Sequence, residues 1–536
     1  MKIKNITLSM LSLAFALTSC NEWLDVMPDN RAEVDTEEKV EKLLVSAYPE
    51  NAYIVMSELS SDNVDDFGED SPYQKRIYGQ LYQWTEVTET DNEDPKQVWS
   101  ALYGAITNAN QAIVSIEEMG ADTPRLKASL GEALLCRAYN HFMLASVFCK
   151  AYNPATAETD LGIPYMYGPE TELNPKYQRG TMKEVYTAIA ADLERGLPLV
   201  SDAFYSVPKY HFNEKAAYTF ASRFYLNAGE WDKCIECANK VLGSSPKELL
   251  RDNVALASLP RDLDVVGPQY NSTAAKNNFL IQTGYSALGL LFGPYYYESR
   301  ITGGNMLMQT ELLNRAPWGT FAASTSSYTY SNMYRVKPYV YVATGFDKTI
   351  FPRLNYLFEY TDPVAGIGYY RTIYAALTAE EALLNRAEAY IMKAEYDLAL
   401  ADMNLWTVNS LNPSYCSTTT LTADSIKAWV DGLDYYTDKV PTPKKALNPV
   451  LFTLPEDGGV MESFIHAILY IRRVEFYMMG MRWFDVKRYG IEITRRRLGT
   501  TLEVLETYDR LTKDDPRRAL QLPKDVITAG LTPNPR

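Results

Sequence analysis

Two stretches of this chain leave few folds open. Residues 213–242 read NEKAAYTFASRFYLNAGEWDKCIECANKVL and residues 378–406 read TAEEALLNRAEAYIMKAEYDLALADMNLW. Each is helix, short turn, helix. Ala217, Ala221 and Ala238 in the first, and Ala382, Ala387, Ala389 and Ala401 in the second, fall where two helices must approach closely. This is the tetratricopeptide pattern, whose repeat is about 34 residues. One such hairpin cannot bury its apolar face alone, so copies stack into a superhelical scaffold. Residues 98–118 place Val98, Leu102, Ala105, Ile106, Ala109 and Ile113 on one helical face. Residues 124–148 open with a proline suited to a first helical turn and carry Leu130, Leu134, Ala138 and Phe142 along one stripe. Residues 181–197, with Val185, Ile189, Asp192 and Leu193, form another helix. These segments are candidates for further, degenerate copies.

Between residues 244 and 375 the helical period fades. Gly, Pro, Tyr, Ser and Asn dominate, with glycine turns around Tyr295, Tyr296 and Tyr297. Residues 410–457 are a second irregular insert. So long a region without regular structure is more often functional than ornamental. The expected architecture is mainly α: a tetratricopeptide-like helical-repeat scaffold, one domain over residues 20–536, with loop-rich inserts near 244–375 and 410–457.

The first nineteen residues read as a signal peptide. Lys2 and Lys4 precede a short apolar run ending in Leu17-Thr18-Ser19-Cys20. This ending is that of a bacterial lipoprotein, so Cys20 is the expected lipidation site and first mature residue. Acyl chains contribute about 0.8 kcal/mol per buried methylene, and a multiply acylated cysteine holds stably to a bilayer. After Cys20 no apolar run approaches the roughly 20 residues that span a membrane.

The formal net charge is −15. That argues against nucleic acid, which needs a basic face, and against adsorption to anionic lipid. Loss of Lys2 and Lys4 with the signal would make the body more acidic still. The six cysteines are Cys20, Cys136, Cys149, Cys234, Cys237 and Cys416. Lipidation leaves an odd number, so no disulfide framework is legible. Cys234 and Cys237 form a lone C-x-x-C read as buried small hydrophobes. His141, His211 and His466 are isolated, and no H-E-x-x-H occurs. Gly284 to Gly289 (GYSALG) misses the nucleophile-elbow spacing by one residue. Gly366-Ile367-Gly368 lacks the third glycine of a dinucleotide fold. The acidic run from Asp62 to Asp70 does not have the alternating ligands of a calcium loop and reads as a solvated or loop-capping turn. No enzyme, metal or cofactor is expected.

Ordered motifs run nearly end to end. Trp23-Leu24-Asp25 and Pro28 follow the cysteine. Ser60-Ser61-Asp62-Asn63 comes next, then Trp99, Tyr103, Ile106, Ala109 and Asn110. Glu132, Ala133, Arg137, Ala138, Tyr139 and Phe142 lead to Gly162-Ile163-Pro164. Arg179, Thr181, Val185, Tyr186, Ile189, Asp192 and Leu193 precede Arg386-Ala387-Glu388-Ala389-Tyr390. Arg473-Val474-Glu475-Phe476, the run from Gly480 to Arg488, Leu522-Pro523 and Asn534-Pro535 close the series. In order and coverage this resembles the SusD/RagB family of Bacteroidetes outer-membrane lipoproteins. Met479 departs from it, standing where the family usually carries glutamate. Arg482, Asp485 and Arg488 are spaced to pair at i, i+3 on one helix, and with Arg473 and Glu475 they read as a network bracing helices.

The resemblance implies a SusD-like α-superhelix that binds glycans at the cell surface without breaking bonds. It implies a location on the outer membrane, anchored by lipid and facing outward. It implies delivery of oligosaccharides to a SusC-like TonB-dependent transporter. Peptide or other nutrient binding on the same scaffold is the alternative, and a purely structural adaptor a third reading. Tyrosine is abundant, 40 of 536 residues, and aromatic faces suit sugar rings, peptides and cores alike. The aromatic candidates for ligand contact are Tyr73, Tyr78, Tyr82, Trp84, Tyr295, Tyr296, Tyr297 and Trp318. Arg76, Arg300 and Asn305 are candidates to bond hydroxyls. Trp99, Trp231 and Trp483 are expected in the core.

Overall fold

The computed structural model describes residues 34–68, 75–170, 175–293, 299–319, 330–343, 346–455, 459–499 and 503–536. The expected signal and Cys20 lie outside these residues, as do Tyr73, Tyr295, Tyr296 and Tyr297.

The N-terminal part holds α1 (Glu37–Leu44), α2 (Ile54–Ser60), α3 (Arg76–Tyr82), α4 (Pro95–Glu118), α5 (Pro124–Phe148) and α6 (Met182–Gly196). α4 and α5 start at prolines whose preceding residues, Asp94 and Thr123, cap the helix by accepting from Gln97 and Leu126 backbone N–H groups. α6 opens with a full capping box between Thr181 and Glu184. The single stripe read on α5 understates its burial. Leu130, Leu134, Ala138 and Phe142 are buried, and so are Arg137, Asn140 and His141 between them. The reason is that α1, α4, α6 and the next helix all pack on it.

The two repeat-like segments form hairpins: α7 (Glu214–Ala228) with α8 (Trp231–Leu242), and α9 (Ala379–Met392) with α10 (Tyr396–Ser410). Although the first insert separates them in sequence, α9 packs against both α7 and α8. Arg223 of α7 clasps Glu381 of α9 with two bonds of 2.5 and 2.7 Å. Arg386 does the same for Asp402 of α10, at 2.7 and 2.8 Å. The turns align as Gly229-Glu230-Trp231-Asp232 and Ala394-Glu395-Tyr396-Asp397. Gly229 has φ +78° and Ala394 has φ +57°, so the second copy holds an alanine in the left-handed region that favours glycine. Cys234 and Cys237 are buried free thiols, as read. Trp99 and Trp483 are core residues, while Trp231 is half-buried.

The first insert corrects the expectation of an irregular region. β2 (Asn278–Tyr285), β6 (Leu357–Asp362) and β7 (Ile367–Thr378) form an antiparallel sheet in the order β2-β7-β6. β7 runs directly into α9, with Thr378 ending the strand and capping the helix. β2 shows little apolar alternation because it is buried on both faces over most of its length. β4 (Tyr339–Ala343) and β5 (Phe346–Ile350) make a hairpin nearby. The second insert contains the short helix Ala423–Asp431.

A further sheet, in the order β3-β1-β8-β9, is assembled from β1 (Asp65–Asp66), β3 (Ile301–Thr302), β8 (Ile493–Leu498) and β9 (Val504–Leu511). It carries the second correction, to the acidic run. Asp62 is buried, bonded to Arg482 at 2.7 and 2.9 Å and to Lys445 at 2.8 Å. Asp65 pairs with Arg496 at 2.7 Å. The acids are drawn inward because cations from α11 (Gly459–Glu475), α12 (Met481–Arg488) and β8 meet them there. The late motif is a bracing network, but with different partners from the spacing. Arg488 bonds Asp485 at 2.6 Å, while Arg482 turns to Asp62. Glu475 takes Arg251 at 3.0 Å. Beside Met479, the Glu58 carboxylate accepts the backbone N–H groups of Met478 and Gly480.

Candidate functional site: a polar cleft beside α3

α3 sorts its residues by spacing. Ile77, Tyr78, Leu81 and Tyr82 face inward, which turns Arg76, Gly79, Gln80 and the following Gln83 outward. These outward residues form one wall of a cleft of about 490 Å³, whose other wall is Ser299, Arg300 and Ile301. The walls come from distant parts of the chain and are joined by the sheet, where Asp66 pairs with Ile301.

Asp66 fixes the floor. Its side chain is 3% exposed and accepts two bonds from Arg300, at 2.6 and 2.8 Å. The Gly68 N–H at 2.9 Å and the Tyr508 hydroxyl at 3.3 Å complete its set. Such a bidentate pair fixes the plane of the guanidinium, and Arg300 keeps 24% of its side chain accessible. Lys75 bonds Asp91 at 2.6 Å. Arg76 lies 3.5 Å from Glu89, and both are largely exposed. The cleft thus presents amides, guanidinium groups and an ammonium, a set of donors and acceptors for a hydroxyl-rich ligand.

Residues 22–226 match the family described as starch-binding and associating with the outer membrane. No curated protein is similar enough to count as a relative. Solved structures share the fold. A candidate sugar-binding protein of Bacteroides vulgatus aligns with a TM-score of 0.66 and 18% identity, over 94% of this chain and 99% of its own. A SusD superfamily protein of Bacteroides thetaiotaomicron aligns at 0.62 and 18%, over 94% and 100%. A SusD-like carbohydrate binding protein of Bacteroides vulgatus aligns at 0.57 and 13%, over 92% and 96%.

The chain has the SusD-like fold. Of the residues chosen from its sequence, this SusD-like fold brings Arg76, Tyr78, Tyr82 and Arg300 into one cleft. The aromatic ones contribute little surface there, Tyr78 and Tyr82 being 3% and 1% exposed.

Two tryptophans cannot serve as stacking platforms. Trp84 is 2% exposed. Its ring lies 4.0 Å from the Arg495 guanidinium and 5.4 Å from that of Arg517, and its indole N–H bonds the Ser60 carbonyl at 2.9 Å. Arg495 is itself held between Trp84 and Tyr82 and donates to the carbonyls of Leu59, Ser60, Ser61 and Tyr82. Burial pushes its pKa down to about 10. Trp318 is 1% exposed, enclosed by Tyr334, Trp406 and Tyr470. Asn305 is also buried. Its N–H bonds Asp347 at 2.6 Å and its side-chain oxygen accepts from Tyr330, so it braces the short helix Asn305–Thr310.

Sequence reading missed Gln80, Gln83, Lys75 and Asp66. The signal for the first two was present, as the polar positions left by the apolar spacing of α3. Nothing local marks Asp66, whose role depends on Arg300 arriving across the sheet. Among the described residues, no group of three or more His, Cys, Asp or Glu is placed to hold a metal ion. No described helix is long and apolar enough to cross a membrane.

Proposed function

We propose that this SusD-like protein binds oligosaccharide in the cleft between α3 and residues 299–301 and releases it chemically unchanged. The carrying observation is the pairing of Arg76, Gln80 and Gln83 with a guanidinium, that of Arg300, held in plane by buried Asp66. The family description and the carbohydrate-binding names among the structural neighbours support this reading. In this proposal residues 1–19 are removed, residues 20–536 form one body, and acylated Cys20 ties it to the outer membrane. A SusC-like TonB-dependent transporter receives the ligand. In the peptide alternative, the acidic net charge would favour basic peptides. Lys75, Arg76 and Arg300 in the cleft lining work against them.

Calorimetric titration of residues 21–536 with starch, xylan, mannan and pectin, and with casein peptides, tests the proposal. Heat with at least one polysaccharide is expected, weakened about tenfold or more by Arg76→Ala combined with Gln80→Ala, consistent with the loss of one or two hydrogen bonds. Heat with peptides and with no polysaccharide would overturn it.

A further inference from the structure

A second cleft, of about 560 Å³, is lined by the loop that follows α3. Its walls are residues 84–90 and 94–96 on one side and residues 520–525, with Thr528 and Arg536, on the other. Thr85 lines both clefts, so their walls meet there.

Two side-chain contacts cross the divide. Arg76 of the first cleft pairs with Glu89 of the second at 3.5 Å. Gln80 of the first bonds Thr88 of the second, donating to its hydroxyl at 2.9 Å and accepting from its N–H at 3.1 Å. The ridge between the clefts is therefore built of amide, hydroxyl and charged groups. The Arg76–Glu89 pair is exposed and is worth little to the fold, so a ligand can replace it at small cost.

The ridge is also rigid. Trp84, directly before Thr85, has φ +53°. For a bulky residue this conformation is costly and persists only where the surroundings over-determine it. Here the two arginine contacts and the bond to Ser60 do so. The strained residue turns the chain at the point where the two clefts meet.

We infer that the two clefts form one track, so that the ligand is an extended oligosaccharide crossing the ridge at Thr85. This rests on the glycan reading given above and adds to it a second subsite and a preference for chain length. The Thr88, Glu89 and Gln80 side chains then meet the middle of the chain, and Lys524, Thr528 and Arg536 its far end.

The test uses whichever of the four polysaccharides binds, cut into size-fractionated oligosaccharides from two to ten sugars, titrated into residues 21–536. Affinity should rise at least tenfold beyond the length that fills the first cleft. Thr528→Trp, on an exposed position of the second cleft, should abolish that rise while leaving the shortest oligosaccharides unaffected. Arg76→Ala should weaken all lengths. Affinity that is flat with length, or a rise that survives Thr528→Trp, would overturn the track and leave the first cleft standing. Absence of binding to every polysaccharide would overturn both.

Discussion

Glu93 is buried beside the second cleft, accepting the Ser286 hydroxyl at 2.8 Å and the Ala287 N–H at 2.6 Å on one oxygen. Burial, and then the neighbouring Asp91, push its pKa from 4.5 up to about 8. The unfolded chain loses this proton near pH 4.5 while the folded chain keeps it to about pH 8. Stability from this group therefore falls as pH rises across that window. Glu93→Gln keeps the acceptor and removes the titration. Urea unfolding should show the variant more stable than the wild type at pH 8.5, by on the order of a few kcal/mol, with little difference at pH 4.5. Ala394 gives a second expectation. Glycine there relieves the positive φ of the α9–α10 turn at some cost in chain entropy, so Ala394→Gly should raise stability by roughly 0.5–1 kcal/mol in thermal melts. At this scale the sequence was a fair guide to chemistry and a poor one to exposure. Trp84 and Trp318 look like the Tyr and Trp of any sugar site, yet both are enclosed by partners distant in the chain.

The helices were legible because their period and caps are local: the second long helix spans residues 124–148 as its proline and stripe require. The strands were not. β2 lacks alternation because both of its faces are covered, and β1 and β3 are two-residue strands specified only by each other. The same limit applies to the cleft, one wall of which is readable from α3 while the other arrives through the sheet. The two repeat hairpins are clasped by Arg223 and Glu381, whose side chains are 3% and 2% exposed. Removing one partner leaves a buried unpaired charge. Glu381→Ala should cost about 3–5 kcal/mol in chemical denaturation, whereas the paired Arg223→Met, Glu381→Leu replacement should recover most of it. Recovery of less than half would mean that the pair does more than neutralise itself, for instance through the Arg223 bond to the Ala376 carbonyl at 2.8 Å.

At the scale of the whole molecule, the proposed anchor and the proposed binding cleft can be tested apart. With Cys20→Ala the proposed lipid attachment is lost, so the protein should leave the outer-membrane fraction on cell fractionation while its glycan titration is unchanged. Retention in that fraction in cells lacking a SusC-like partner would contradict the anchor. The last residues tie the body together: Asn534 donates to the Phe148 and Leu520 carbonyls at 2.7 Å and accepts from Arg179 at 2.8 Å. The sheet that floors the cleft is woven from still more distant pieces, since Asp66 lies between Ile301 and Arg497. A chain that crosses a membrane from its N-terminus delivers α3 early and β8 late. The sheet that floors the cleft is then complete only when β8 arrives. On the export proposed above, a chain emerging from its N-terminus would therefore hold no ligand in this cleft before β8 has followed.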